Sequence, residues 1–137
     1  MPDRFDRLIP TQLRRFAAVG ALGFIVDAGV LLALTQWFGF GPATGRVVSF
    51  AIAVVATWAA NRLWTFNSGE ASPSGEFARY LSVQLIGVTV NYLVYSAIIL
   101  RIGVDPSGLL GAIACGSAAG LGVNYLGARM FVFRRTA

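Results

Sequence analysis

Histidine and lysine are absent from the 137 residues, and all 11 basic side chains are arginine. There is thus no imidazole general base, no Schiff-base amine, no Walker-type lysine and no histidine-containing metal site. A single cysteine, Cys115, excludes an intrachain disulfide. Charge is scarce as well: 12% of residues are charged, against about 25% in an ordinary soluble domain. Of the six acids, Asp3, Asp6, Glu70, Glu76 and Asp105 are expected in polar ends or loops, and only Asp27 falls inside an apolar run. No pair of carboxylates is placed for acid–base catalysis. The sequence reads as a non-enzyme, with no catalytic residue, metal-ligand set or cofactor implied.

What is abundant is hydrocarbon. Apolar residues make up 56% of the chain and the mean hydropathy is +0.68. This excludes a disordered chain and an ordinary cytosolic globule. A bilayer core about 30 Å thick takes roughly 20 apolar residues per helix, and four stretches meet that length, at 16–38, 43–64, 78–100 and 108–131. Gly39-Phe40-Gly41-Pro42 separates the first two, and a turn over 101–107 separates the last two. The segment 67–77 is the long polar one. The expectation is an all-α integral membrane protein, a single membrane domain over 1–137. Four transmembrane helices form two hairpins, 14–66 and 78–133, joined by a polar cytoplasmic linker over 67–77. The first run is longer than a signal-peptide core and holds an aspartate, so it is expected to be retained.

Arginine distribution sets the orientation. Arg4, Arg7, Arg14, Arg15, Arg62, Arg79, Arg129, Arg134 and Arg135 fall on the side of the termini and linker, while Arg46 and Arg101 fall at the hairpin turns. The positive-inside rule then places both termini in the cytoplasm. Arginines at the ends of apolar runs are headgroup anchors, so the net charge of +5 does not point to nucleic acid.

The hairpins repeat one another. At an offset of 64, Arg15-Phe16 matches Arg79-Tyr80, Val19 matches Val83, Gly23 matches Gly87, and Val26-Asp27 matches Val90-Asn91. Past the turn the offset is 67, and Arg62-Leu63-Trp64-Thr65-Phe66 matches Arg129-Met130-Phe131-Val132-Phe133. A two-helix unit returns the chain to its starting side, so the repeats are parallel. Small residues recur every fourth position, at Gly45, Ser49, Ala53, Thr57 and Asn61, and at Gly108, Ala112, Gly116, Gly120, Asn124 and Ala128. Such stripes let helices approach closely in lipid. Asn61 and Asn124 need partners there, because a carboxamide facing hydrocarbon is costly.

The opening Arg-Phe-x-x-Val-Gly, the mid-helix Asp27, the Asn61-Arg62-Leu63-Trp64-Thr65-Phe66 ending and the repeated hairpin resemble GtrA-like proteins, over residues 14–133. The resemblance implies a small inner-membrane protein of bacterial surface-polysaccharide and cell-wall pathways. It implies transport of polyprenyl-phosphate-linked monosaccharides, such as undecaprenyl-phosphate-glucose or decaprenyl-phosphate-arabinose, to the outer leaflet, where a glycosyltransferase uses them. The alternative is a non-transporting scaffold that recruits such a glycosyltransferase. The second hairpin departs from the pattern, with Ala128-Arg129-Met130-Phe131 in place of a fuller Asn-Arg-x-Trp ending.

For such a cargo the tail stays in lipid, while phosphate and hydroxyls need polar partners. Asp27 lies 12 residues after Arg15, roughly 18 Å along a helix and near mid-bilayer. It reads as a sugar-hydroxyl acceptor, a proton-coupling site or a structural partner of an arginine. Gln84, Gly87, Asn91 and Tyr95 form a polar stripe, expected to meet Gly20, Gly23 and Asp27 in a seam between the hairpins. Arg46 and Arg62, roughly 24 Å apart on one helix, read as phosphate handholds at opposite interfaces or as snorkelling anchors. Trp64 accompanies Arg62, and Arg129 is its counterpart. The substrate-binding candidates are therefore Asp27, Arg46, Asn61, Arg62, Trp64, Gln84, Asn91, Asn124 and Arg129. Membrane lipid is the other expected partner. A homo-oligomer, most simply a dimer meeting on the small-residue stripes, would enlarge the wall of a polar path.

Overall fold

The structure is a computed structural model that describes residues 3–69, 72–102 and 106–133. Four α-helices follow in order: α1 (Asp3–Gln36), α2 (Pro42–Ala60), α3 (Pro73–Ile102) and α4 (Pro106–Gly127). A five-residue π-helical turn extends α2 over Asn61–Thr65, and a second extends α4 over Ala128–Val132. The protein is thus all-α and spans the membrane several times. Pro10–Gln36, Pro42–Thr65 and Pro73–Ile102 are long and apolar enough to cross a bilayer. The 22 residues of α4 include no charged side chain and at about 1.5 Å each reach about 33 Å. Only 17%, 28% and 11% of the three apolar windows is buried within the protein. Phe24, Ile25, Val47 and Leu93 are among the large side chains more than half exposed, a cost in water that lipid removes.

Helix limits differ from the hydropathy limits at two places. α1 begins well before residue 16, with Pro10 inside it, because apolar runs mark where lipid begins rather than where the helix does. α3 begins at Pro73, so 73–77 is helix rather than linker. Proline suits a first helical position, where its missing N–H costs nothing, and the Glu76 N–H donates to Ser72 O at 3.1 Å. Glu76, expected in a polar loop, is fully buried on that first turn. Glu70, Asp105, Arg134 and Arg135 lie outside the described residues.

The chain divides into two compact units, 1–69 and 70–137. In the first, α1 packs against α2. Gly39, at φ 69°, turns the chain, Phe40 N–H donates to Leu34 O at 3.0 Å, and Pro42 starts α2. Gly45, Ser49, Ala53, Thr57 and Asn61 are all buried. In the second unit α3 packs against α4, and Ala112, Gly116, Gly120 and Ala128 are buried. Each small-residue stripe is therefore covered by the partner helix of its own hairpin. The dimer expected on those stripes would have to use other faces.

Candidate functional site

Asp27 is 8% exposed and sits on the α2 face of α1. Its Oδ2 accepts an ion-paired hydrogen bond from Arg46 Nη1. Its Oδ1 lies 2.7 Å from the hydroxyl of Ser49, which is fully buried. Ser49 is level with Asp27, and Arg46, one turn nearer the hairpin turn, reaches back along the helix to meet it. The two charged side chains are unequally covered, at 12% exposure for Asp27 and 58% for Arg46. Arg46 thus reaches a carboxylate on the neighbouring helix while more than half of its side chain stays exposed.

The other end of the first hairpin is built around its π turn. Phe66 N–H reaches Asn61 O at 2.9 Å, a wider bond than the α-helical one, and such turns recur at functional sites. Asn61 is 1% exposed and its Oδ1 accepts from Thr65 Oγ1 at 2.8 Å. The Arg62 guanidinium lies over Trp58, 5.8 Å from the ring centre. Trp64 is half exposed and is held from α1, where Arg15 donates to its carbonyl at 3.0 Å and covers its ring at 5.4 Å. Phe66 packs edge-on against Phe16, with ring centres 6.1 Å apart.

The second hairpin reproduces this frame with different chemistry. Phe133 N–H reaches Ala128 O at 2.8 Å, and Phe133 packs on Tyr80 at 6.0 Å. Arg129 donates to Tyr125 Oη at 3.3 Å, where Tyr125 corresponds to Trp58. Gly87 lies against Asn124 as Gly23 lies against Thr57. Asn91 lies against Gly116, where an added Cβ would stand 2.6 Å from Asn91 Oδ1; these are the counterparts of Asp27 and Ser49. The counterpart of Arg46 is Ile113, which is exposed. Gln84 donates to Tyr80 Oη at 3.0 Å. Among the described residues, Gln84 Oε1 and Asn124 Oδ1 are buried acceptors without a protein donor.

Gly23 and Asp27 thus meet α2, and Gly87, Asn91 and Tyr95 meet α4. The polar stripe expected between the hairpins makes these contacts within each hairpin, because small residues opposite leave room for them.

A family profile described as "GtrA/DPMS, transmembrane domain" matches residues 15–135. The chain belongs to this GtrA/DPMS family. It is also 27% identical over 122 residues to "Uncharacterized membrane protein YngA" of Bacillus subtilis (strain 168), covering 88% of this chain and 78% of that protein. In this GtrA/DPMS-family chain, Asp27 and Arg46 stand out in the sequence without being joined by it, and Ser49 falls there on a packing stripe only. The spacing of Arg46 and Ser49, three residues apart and so on adjacent helix positions, was the available signal.

Proposed function

We propose that this protein translocates a polyprenyl-phosphate-linked monosaccharide across the bacterial inner membrane. The observation that carries the reading is the Asp27–Arg46 pair, an arginine side chain more than half exposed and ion-paired to a buried acid on membrane-spanning helices. A buried charge in such a helix is expensive and points to an ion or substrate path. Membership of the GtrA/DPMS family supports a role in polyprenyl-linked sugar handling. In this reading Arg46 and Arg62 serve the phosphate, whose oxygens match an arginine fork. Arg129 is the weaker copy of Arg62. Within the second hairpin, Gln84 Oε1 and Asn124 Oδ1 are buried acceptors that lack a protein donor, and with Asn91 they are the amide candidates for hydroxyl groups. Asn61 and Trp64 shape the π turn that presents Arg62. A glycosyltransferase of the same pathway would consume the sugar on the far side.

Reconstitution tests the reading. Purified protein in liposomes carrying labelled undecaprenyl-phosphate-glucose should make the sugar accessible from the opposite leaflet. A charge-assisted hydrogen bond is worth about 1.5–3 kcal/mol, so Arg62→Ala should slow this roughly 10- to 100-fold, with thermal unfolding read alongside to show that the variant folds. Folded wild-type protein that moves no lipid-linked sugar, yet restores polymer modification in cells, would instead establish the scaffold.

A further inference from the structure

The two hairpins share one register, so each serves as a control for the other. Gly23 faces Thr57 as Gly87 faces Asn124, and Asp27 faces Ser49 as Asn91 faces Gly116. At that level the first hairpin has Asp27, Arg46 and Ser49, and the second has Asn91, Ile113 and Gly116. All three members of the charged cluster are exchanged together, and the second hairpin still closes. The cluster is therefore not what closes a hairpin of this design. A packing role would apply to both copies, whereas the ion pair occurs in one.

The unequal coverage of the pair indicates what it does. Asp27 is held twice, by Arg46 and by the buried Ser49 hydroxyl. Arg46 is the more open member, with 58% of its side chain exposed against 12% for Asp27, so of the two it is the one a ligand can reach. A carboxylate and a phosphate present the same acceptor pattern to that guanidinium. We propose that Asp27 is a built-in substitute for a phosphate: it occupies Arg46 between ligands, and a phosphate monoester or diester group competes with it for the same guanidinium. This rests on the reading that the cargo is a lipid-linked phosphate, and it assigns the anion-binding element to Arg46 with Asp27 as its internal competitor. The competition makes binding by the wild-type protein weak, because capturing the ligand leaves a buried carboxylate without its cation. Weak capture suits a carrier that must also release.

The consequence is that removing a charge should improve binding. Wild-type, Asp27→Asn, Arg46→Ile and the double variant are placed in phosphatidylcholine nanodiscs and titrated with undecaprenyl phosphate, with undecaprenol as the uncharged control. The double variant copies the second hairpin at both positions and Asp27→Asn removes the buried acid, so thermal unfolding should show both folded. Arg46→Ile alone leaves Asp27 without its cation and should unfold earlier. If it does not fold, Asp27→Asn against the double variant decides, equal binding overturning the proposal. Expected is at least tenfold tighter binding of undecaprenyl phosphate by Asp27→Asn and at least tenfold weaker binding by Arg46→Ile. The double variant should match Arg46→Ile, and undecaprenol binding should not vary. Unchanged or weaker binding by folded Asp27→Asn overturns the proposal, as does a gain that survives in the double variant or appears equally with undecaprenol. If Asp27→Asn does not fold, wild type against Arg46→Ile decides, and equal binding overturns it. Inorganic phosphate that displaces the lipid with the same mutational pattern supports an anion site open to free phosphate. Failure to displace it, with the pattern intact, supports one specific to the lipid headgroup. Translocation without the gain overturns this inference and leaves the transport reading standing. The gain without translocation does the reverse.

Discussion

Close packing in the second hairpin is set by single methyl groups that are not there. A Cβ on Gly120 would stand 2.9 Å from Gly87 O and 3.0 Å from Asn91 Cβ, whereas one on Gly122 would meet nothing within 4 Å. A backbone carbonyl cannot move aside as a flexible side chain can, and overpacking typically costs about 1–3 kcal/mol. Gly120→Ala should therefore lower the thermal unfolding midpoint in detergent by several degrees. Gly122→Ala should leave it unchanged or raise it, since alanine is about 0.8–1.0 kcal/mol better than glycine inside a helix. At this scale the sequence is half legible. A lone acid in an apolar run must face a partner, and that much is read from Asp27 alone. Its choice of Arg46 depends on how α1 and α2 align, which neither helix encodes by itself. The same is true of Asn124, whose contact with Gly87 follows from helix register.

The element that hydropathy does not reveal is the π turn. An apolar run has the same composition whether its hydrogen bonds close on the fourth or fifth residue back. The trace it leaves is the Arg-x-aromatic-x-Phe ending found in both halves, because the extra residue lets Phe66 and Phe133 turn in toward Phe16 and Tyr80. Deleting Leu63, which is 74% exposed, would restore α-helical winding and rotate the following residues by about 100° about the axis. Phe66 would then leave Phe16, and Arg15 would lose the Trp64 carbonyl. The deletion should cost stability out of proportion to a lipid-facing leucine, whereas Leu63→Ala should be nearly neutral; thermal unfolding of both variants compares them directly. The start of α3 is a further place where local chemistry outweighs composition: Ser72-Pro73 begins the helix within a polar segment.

For the whole molecule, apolar length alone gives an all-helical membrane protein, and counting arginines predicts an orientation with both termini in the cytoplasm. Reporter fusions check the latter. A cytoplasm-dependent fluorophore on either terminus should be active, and a periplasm-dependent phosphatase on either should be silent. Adding two arginines to the 37–41 turn should weaken that bias measurably. The division at residue 69 also predicts that segments 1–69 and 70–137, produced as separate chains in one cell, fold as hairpins and restore the activity of the intact protein, read by the same translocation assay.

The shared register of the hairpins also constrains their history. An aspartate inside a membrane helix without its arginine costs at least about 2.5–3.5 kcal/mol on insertion scales, whereas an arginine four residues into α2 can reach water alone. If the halves descend from one ancestral hairpin, the accessible mutational order has the arginine arriving before the acid, or leaving after it. Intermediates along that path would carry Asn at position 27 with Arg at 46, the same combination as the tight-binding single variant. If Arg46 binds an anion as proposed above, such an ancestor would have held it strongly, and acquiring Asp27 would have been the step that loosened the site.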